Sequence, residues 1–226
     1  MRIWHISDTH TYHGHLNIPS DIDMVIFSGD CSNPRNQYAN EPEVRSFITW
    51  FSSLQIKHKI FVAGNHDSSI EYGLVDRDLF KANGIVYLEN ESVTIDGINI
   101  WGSPFSPTFG DWSFMKNRSK LSRLWAEIPD NTNIVIVHGP PKGILDLSTD
   151  RFGALEYCGC SALAKRLLTV RPKLVLFGHI HNCEGIINAG TKTIAGIDTL
   201  YSNGSCVKDG RFGKNTGQGN ILTYAK

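Results

Sequence analysis

The amino-acid sequence predicts an α/β fold. Five short apolar runs, each bounded by turn residues, are typical of buried strands: RIWHIS, DMVIFSG, KIFVAG, NIVIVHG and KLVLFG. Segments with helical periodicity lie between several of these runs. Strands that alternate with helices favour a sheet in which helices connect parallel strands.

Three segments carry apolar residues at helical spacing. We expect the first helix to begin after Asn40, with Pro42 near its first position, where proline is tolerated. Pro129 and Pro172 are expected to end the other two helices. The apolar positions are Val44, Phe47, Ile48, Phe51 and Leu54, then Leu121, Leu124, Trp125 and Ile128, then Leu163, Leu167 and Val170.

The remaining strands resemble hairpins. In SVTIDGINIWGS, Asp96-Gly97 separates two β-rich runs, which predicts a two-residue hairpin turn. Further short strands are expected in GIINAGTKTIAG, TLYSNGS and ILTYA. The glycine-rich 209–220 segment is interpreted as a solvated loop, with a lid carrying Arg211 and Lys214 as the alternative. Without an internal repeat or obvious linker, residues 1–226 are expected to form one domain.

Composition excludes several classes of protein. Of the 226 residues, 41% are hydrophobic and 19% charged, which indicates a globular chain with a sizeable core. The formal net charge is zero, so nucleic acid is a possible but not favoured partner. No apolar run approaches the ~20 residues that span a bilayer, and we expect no membrane partner. Five cysteines, an odd number at irregular spacing, favour a reducing cytoplasm, with Cys158 and Cys160 interpreted as structural.

Each of the five predicted strands is followed by polar residues. Taken singly, such residues are ordinary turn or core residues, and His5, His13, His15 and His58 are interpreted that way. If the five strands share one sheet, their C-terminal ends converge on one rim, where ligands bind in α/β sheets. Burying these groups together is costly unless they share a partner such as a pair of cations. The groups are Asp8-Thr9-His10, Gly29-Asp30, Gly64-Asn65-His66-Asp67, His138-Gly139 and Gly178-His179-Ile180-His181.

The donor set indicates the kind of metal. Imidazole and carboxylate ligands suit Mn, Fe, Zn, Ni or Co better than a dedicated Ca or Mg cage. Cys31 and Cys183 adjoin these residues in sequence, but we interpret them as packing or redox-sensitive neighbours rather than ligands. Two divalent ions are therefore expected, Mn foremost, with Mg also possible.

Five motifs occur in order along the chain: D-x-H, G-D, G-N-H-D, a single H after a strand, and G-H-x-H. This series, spanning Asp8 to His181, resembles the calcineurin-like metallophosphoesterase superfamily. Four stretches resemble its small metallophosphoesterase-domain subfamily more narrowly, namely HGPPKGILD, CGC, RPKLVLFGHIHNCEG and TLYSNGSC. The resemblance implies an αββα four-layer sandwich of two mixed sheets flanked by helices, with a dimetal site at the C-terminal ends of strands.

The resemblance also implies residue roles. Asp30 would bridge both metals, and a metal-bridging hydroxide would attack the phosphorus in line. His66 would contact phosphate or protonate the leaving oxygen. The first metal would take Asp8, His10, Asp30 and His181, and the second Asp30, Asn65, His138 and His179. Asn33, Asn65, His66 and Gly139 would contact substrate, although a proline-stiffened turn accounts for Gly139 equally well.

One position departs from the pattern of related protein phosphatases. Those relatives carry G-D-x-x-D-R-G, whose second Asp orients the catalytic His, whereas this chain has GDCSNPR with Asn33 there. An amide can hold an imidazole but cannot stabilise imidazolium as a carboxylate does. The departure argues against a protein Ser/Thr phosphatase.

These observations favour a cytoplasmic dimetal phosphodiesterase acting on a small nucleotide-like phosphoester, such as a cyclic nucleotide. The alternatives are a DNA or RNA nuclease, a phosphomonoesterase of the same superfamily, and a non-catalytic protein-binding scaffold. The neutral charge balance argues against a nuclease, and the complete ligand set argues against a scaffold. The sequence leaves the oligomeric state open.

Overall fold

A computed structural model describes residues 1–150, 152–207 and 217–225. The predicted loop residues Arg211 and Lys214 lie outside these described residues, so both interpretations of that loop stay predictions. Among the described helices, none combines the length and apolar character needed to cross a membrane.

Two mixed sheets form the centre of the fold. The first has the order β15-β1-β2-β3-β4, in which β15 is antiparallel to β1 and the other neighbours are parallel. Its strands are β1 (Arg2–Ile6), β2 (Met24–Ser28), β3 (His58–Val62), β4 (Val86–Tyr87) and β15 (Asn220–Thr223). Because β15 pairs with β1, the two ends of the described chain meet in one sheet. This pairing supports our proposal that residues 1–226 form a single domain.

The second sheet has the order β13-β14-β12-β9-β6-β5, with parallel strands at its centre and an antiparallel pair at each edge. Its strands are β5 (Glu91–Ile95), β6 (Ile98–Ser103), β9 (Ile134–Val137), β12 (Leu174–Phe177), β13 (Gly190–Ile194) and β14 (Ile197–Asn203). Two minor pairs are β7 (Ser106–Pro107) with β8 (Met115–Lys116), and β10 (Leu147–Thr149) with β11 (Leu155–Tyr157). The five strands predicted from the apolar runs are confirmed, and they divide between the two sheets that the resemblance implies, with three strands in the first and two in the second.

Side-chain alternation along the strands creates the layers. Met24 and Ile26 of β2 pack with Ile134 of β9 in an apolar cluster between the sheets. The intervening Val25 and Phe27 point to the opposite face, where they join a cluster with the helices. The fold is therefore a four-layer sandwich, as the resemblance implies. Its helices are α1 (Gln37–Ser53), α2 (Ser68–Glu71), α3 (Arg77–Ala82), α4 (Arg118–Ala126) and α5 (Ser161–Val170), with a 3₁₀ turn at Tyr12–His15.

The first helix begins earlier than expected. Asn36 is the N-cap of α1, because its side chain accepts hydrogen bonds from the backbone N–H groups of Tyr38 and Ala39 at 3.0 and 3.1 Å. Pro42 lies inside the helix, where its missing N–H removes one intrahelical hydrogen bond. The predicted start after Asn40 is wrong. The Asn36 cap provides hydrogen-bond acceptors for the N–H groups of the first turn, so the helix begins there although Pro42 lies further along.

The predicted hairpin turn, the ends of two helices and the last short strands are confirmed. The β5–β6 hairpin turns at Asp96 and Gly97, whose φ values of 50° and 79° are the positive values that a type I′ turn requires. Helices α4 and α5 end before Pro129 and Pro172. Strands β13, β14 and β15 lie where the last short β runs were expected.

Candidate metal centre

Loops that follow strands of both sheets bring the predicted ligands together. Asp8 follows β1, Asp30 follows β2 and Asn65 follows β3, whereas the histidines after β9 and β12 come from the second sheet. Hydrogen bonds join the sheets at this end, because Ser7 donates its N–H to the carbonyl of Gly204 at 2.9 Å. The site therefore lies across the carboxyl ends of two sheets rather than on the rim of one.

Within the described residues, two triads of potential ligands each gather their donor atoms within 4.8 Å of one another. The first triad is Asp8, His10 and His181, and the second is Asp30, His138 and His179. A further triad, His10, Asp30 and His66, overlaps both.

The first triad is held by short contacts. Nε2 of His181 lies 3.0 Å from Oδ1 of Asp8. Nε2 of His10 lies 3.4 Å from Nε2 of His181 and 3.9 Å from Oδ2 of Asp30. Asp30 therefore lies within reach of the first triad, although its closer partners are in the second.

The second triad is centred on His138. Its Nε2 lies 3.4 Å from Oδ2 of Asp30, 3.2 Å from Nδ1 of His179 and 2.8 Å from Oδ1 of Asn65. The structure thus places His179 in the second triad and His181 in the first. Every predicted ligand contacts at least one other through a side-chain atom.

Backbone carbonyls fix the protonation of two rings. Nδ1 of His138 lies 2.9 Å from the carbonyl oxygen of Ser28, and Nδ1 of His10 lies 3.1 Å from that of Ser32. A carbonyl oxygen only accepts, so each Nδ1 carries the hydrogen and each Nε2 of the neutral ring presents a lone pair to the site. Lone pairs of nitrogen and oxygen that face one another need a cation between them. This donor arrangement fits a divalent metal.

The two carboxylates favour their ionised form. Burial opposes ionisation of Asp8, but the adjacent His181 overrides it and lowers the pKa of the carboxyl to about 2. Burial likewise opposes ionisation of Asp30, and the rings of His138 and His66 hold its pKa well below the usual range. Both side chains are therefore charged at neutral pH, as metal ligands must be.

Burial and neighbouring charges shift the pKa values of His10, His138 and His179 in different directions. Burial, followed by the charge of His138, lowers the pKa of His179 to about 3, and burial also lowers the pKa of His10. Burial opposes protonation of His138 as well, but Asp30 overrides it and raises the pKa of that ring to about 9. In the metal-free protein, a proton on Nε2 of His138 thus occupies a position that a cation can take.

Unusual backbone geometry aims several of these side chains. Asp8, His10, Asp30 and His179 have φ values of 50°, 42°, 61° and 68°, in the left-handed region that disfavours residues with a Cβ. Such strain costs roughly 1–3 kcal/mol per residue and clusters at functional sites. Gly178 is required by packing, because a Cβ there would overlap the Asp8 carboxylate.

Asp67 organises the centre, a role that the sequence did not reveal. The side chain is fully buried and accepts hydrogen bonds from the backbone N–H groups of Asp30, Cys31, Ser32 and Gly64, at 2.8–3.3 Å. Burial, followed by the charge of Asp30, raises its pKa. The carboxylate thereby ties the loop after β2 to the loop after β3. The G-N-H-D motif contains Asp67 and could have drawn attention to it, but most of its hydrogen-bond partners are remote in sequence.

His66 is oriented by backbone rather than by the Asn33 amide. Nδ1 of His66 lies 2.8 Å from the carbonyl oxygen of Asn33, whereas the Asn33 side-chain amide donates to the carbonyl of His10 at 3.1 Å. The Asn33 amide does not contact the His66 ring through these hydrogen bonds, because it is committed to His10. Trp112 packs on His66 with ring centroids 4.2 Å apart, and the Arg35 guanidinium lies 3.7 Å from the centroid of the indole. No sequence pattern indicated this stack.

Gly139 and two of the cysteines have protein neighbours. A Cβ on Gly139 would lie 3.0 Å from Cβ of Ser106, so the close approach at this position is to β7, and its contact with substrate stays a prediction. Cys31 is buried and its thiol donates to Oδ1 of Asp67 at 3.2 Å. The buried Sγ of Cys160 accepts from the indole N–H of Trp125 at 3.3 Å, in agreement with a structural role. All five cysteines are free.

Comparison with known proteins identifies the family. Residues 1–183 match the family described as calcineurin-like phosphoesterase. The human metallophosphoesterase domain-containing protein 1 is 31% identical over 222 residues, covering 88% of this chain and 66% of the relative. A UPF0046 protein of Caenorhabditis elegans is 33% identical over 205 residues, covering 83% of this chain and 71% of the relative. The chain thus spans about two thirds of the length of these relatives.

A more distant relative carries an activity in its name. The 3′,5′-cyclic-nucleotide phosphodiesterase of Nostoc is 29% identical over 174 residues, covering 71% of this chain and 56% of the relative. Among solved structures, a Thermus thermophilus protein superposes with a TM-score of 0.61 at 14% identity, covering 89% of this chain and 88% of the other. This likeness shows the same fold of two mixed sheets flanked by helices.

Proposed function

Because this chain belongs to the calcineurin-like phosphoesterase family, we propose that it is a dimetal phosphodiesterase acting on nucleotide-like substrates. Members of this family generally use two divalent metal ions. The observation that carries the proposal is the pair of adjoining triads. Their lone pairs converge, and Asp30 contacts histidines of both triads.

The proposed roles follow from the positions of the side chains. Two divalent cations, when bound, supply the charge that activates water and offsets the negative charge developing on the phosphate. Asp30 belongs to the second triad and lies within reach of the first, so it would serve both ions. Asp8, His10 and His181 would hold one ion, and Asn65, His138 and His179 the other.

His66 is proposed to protonate the leaving oxygen. Its Nδ1 is committed to the carbonyl of Asn33, so Nε2 is the ring atom available to the substrate. His66 also lies beside His10, with ring centroids 4.7 Å apart, which places it at the edge of the first triad. The backbone N–H of His66 donates to Oδ1 of Asp30 at 2.7 Å and so couples the proposed acid to the bridging carboxylate.

Nucleotide-like diesters are the favoured substrate class. The name of the Nostoc relative supports a cyclic nucleotide or a related ester. The balanced charge of the chain argues against the salt-dependent grip that a nuclease exerts on a polynucleotide. Manganese is the proposed native metal, chosen from the group of Mn, Fe, Zn, Ni and Co that mixed imidazole and carboxylate donors suit. The free state of all five cysteines supports a cytoplasmic location.

The test is hydrolysis of an aryl phosphodiester by metal-stripped protein to which Mn, Fe, Zn, Ni, Co or Mg is returned. We expect turnover with Mn and its loss in Asp30→Ala, which disturbs both ions. Asp198→Ala is the matched control, because that carboxylate is exposed near the start of β14, at the end of the strand remote from the centre. Absence of turnover with every metal would overturn the proposal.

A second assay separates the competing activities. We expect weak binding of single-stranded DNA and RNA with little dependence on salt. Steep salt dependence together with cleavage would favour the nuclease instead. Parallel assays of an aryl monoester and cyclic 2′,3′ and 3′,5′ nucleotides would rank the ester classes.

A further inference from the structure

A cavity of about 490 Å³ adjoins the metal centre on the side of His179. Its volume falls within the ~300–1,000 Å³ typical of small-molecule sites. The residues that characterise its walls are Phe109, Arg118, Lys142, Glu156, Tyr157 and His179. Since His179 belongs to both the second triad and the wall, the cavity is continuous with the centre.

Two aromatic rings on separate segments line this cavity. Phe109, in the connection between β7 and β8, is 48% exposed, and Tyr157, at the end of β11, is 55% exposed. Each residue leaves about half of its surface exposed and borders the cavity, so a flat ligand can pack against it there. The ring of Phe109 also lies against that of His179, with centroids 5.1 Å apart. An aromatic surface therefore extends from the second triad into the cavity.

The cavity wall carries two cations, Arg118 and Lys142, and one carboxylate, Glu156, so its charge balance favours an anionic ligand. Arg118 donates to the carbonyl of Gly159 at 3.3 Å, which anchors its guanidinium at the wall. Within the described residues, neither Arg118 nor Lys142 forms an ion pair with a carboxylate, so both charges remain available to a ligand. These cations attract an anionic compound towards the cavity and the adjoining centre, whereas an uncharged arene would not use them.

We propose that this cavity is the base subsite of the enzyme, in which the purine or pyrimidine of a nucleotide packs against Tyr157 and Phe109 while its phosphate lies at the metal centre. The inference rests on the proposed function for the position of the phosphate. It adds the residues that recognise the rest of the substrate. Stacking on an aromatic side chain tolerates different bases, because every base has a π-face.

The experiment compares adenosine 5′-monophosphate with ribose 5-phosphate, which lacks the base, as ligands of the full metal-loaded chain. Calorimetry should give a roughly tenfold lower Kd for the nucleotide in the wild-type protein, the size expected for one stacked base. Tyr157→Ala should remove most of this preference, and Tyr157→Leu should do the same while keeping the bulk of the side chain. Tyr157→Phe should retain the preference, because it keeps the ring.

Phe152→Ala is the matched control. Phe152 lies in the same β10–β11 hairpin and is 80% exposed, but it is not among the residues that line the cavity. This variant should keep the wild-type preference. Equal affinities of the wild-type protein for the two ligands, or an undiminished preference in both Tyr157→Ala and Tyr157→Leu, would overturn the base subsite.

The two proposals fail in different ways. Hydrolysis of an aryl diester without a preference for the nucleotide would show that only the subsite is wrong. A preference that depends on the Tyr157 ring, without turnover of any diester, would support the subsite and count against the proposed function.

Discussion

Nδ1 of His66 lies 2.8 Å from the backbone carbonyl oxygen of Asn33. Related protein phosphatases use an Asp side chain to orient the corresponding imidazole, and Asn33 occupies that position here. The backbone carbonyl accepts the same N–H, so the ring is oriented without a second carboxylate. A neutral carbonyl, however, stabilises a charged imidazolium less than a carboxylate does.

This geometry predicts unequal effects of substitution at the two positions. His66→Ala should lower kcat for a phosphodiester by roughly 10²–10⁴-fold, the usual contribution of a general acid, with metal content retained. Asn33→Ala preserves the backbone carbonyl and should lower kcat by less than about tenfold. Steady-state kinetics with metal analysis checks both variants. Comparable losses of kcat would show that the Asn33 side chain acts on the ring, and loss of metal from His66→Ala would make His66 a ligand.

The separation of His179 from His181 predicts that each supports a different ion. Each single alanine variant should retain about one of two ions per chain. Pairs of substitutions test the grouping more sharply. His10→Ala with His181→Ala removes ligands from one triad and should leave about one ion, whereas His179→Ala with His181→Ala should leave almost none.

Elemental analysis after equilibration with Mn measures this difference. Wild-type protein treated in the same way provides the reference stoichiometry. Equal metal content in the two double variants would contradict the assignment of the histidines to separate ions.

Asp67 is predicted to carry a large share of the local stability. Asp67→Ala leaves four buried backbone N–H groups without their acceptor, each costing about 1–3 kcal/mol. The free energy of unfolding of the metal-free protein should therefore fall by at least about 3 kcal/mol in urea titrations. Asp76→Ala is the control, since this exposed N-cap of α3 accepts one backbone hydrogen bond and its loss costs about 1 kcal/mol. Equal losses in the two variants would contradict the anchoring role.

Much of the fold was predictable because the signals are local. The apolar run that forms β12 and the turn at Asp96-Gly97 depend on adjacent residues, so their patterns suffice. The pairing of strands is not local, and the apolar runs do not record that β1 and β12 belong to different sheets. The predicted start of α1 was wrong because Pro42 is a stronger sequence signal for a helix start than the N-cap residue Asn36.

The same distinction applies to the candidate site. The residues after each strand were evident, because polar groups that follow apolar runs stand out. Residues that act through distant partners were not evident from the sequence. Asp67 reaches the backbone of Asp30, 37 positions away, and Trp112 reaches the ring of His66 through a separate loop. Contacts of this kind depend on the assembled fold and leave no periodic trace in the sequence.

His13 gives a prediction outside the metal centre. The sequence interpretation made it a core residue, and its ring packs on Phe47 and Trp50 of α1 with centroids 5.3 and 5.1 Å apart. Burial, followed by the charge of His15, lowers its pKa from 6.5 to about 4. Nδ1 is buried without a hydrogen-bond partner among the described residues, so nothing there stabilises the charged ring.

The sign of the pH effect follows from these two pKa values. Between pH 6.5 and about 4 the unfolded chain binds a proton at His13 and the folded chain does not, so stability falls as pH falls through this window. Above pH 6.5 the ring is neutral in both states and the contribution is constant. Replacement by an uncharged residue removes the effect. Relative to His13→Leu, the metal-free wild-type protein should lose about 2 kcal/mol of unfolding free energy between about pH 7.5 and about pH 5. Urea titrations of both proteins measure this difference, in which the contributions of histidines that do not interact with His13 cancel. Parallel pH profiles would show that His13 also binds its proton in the folded state.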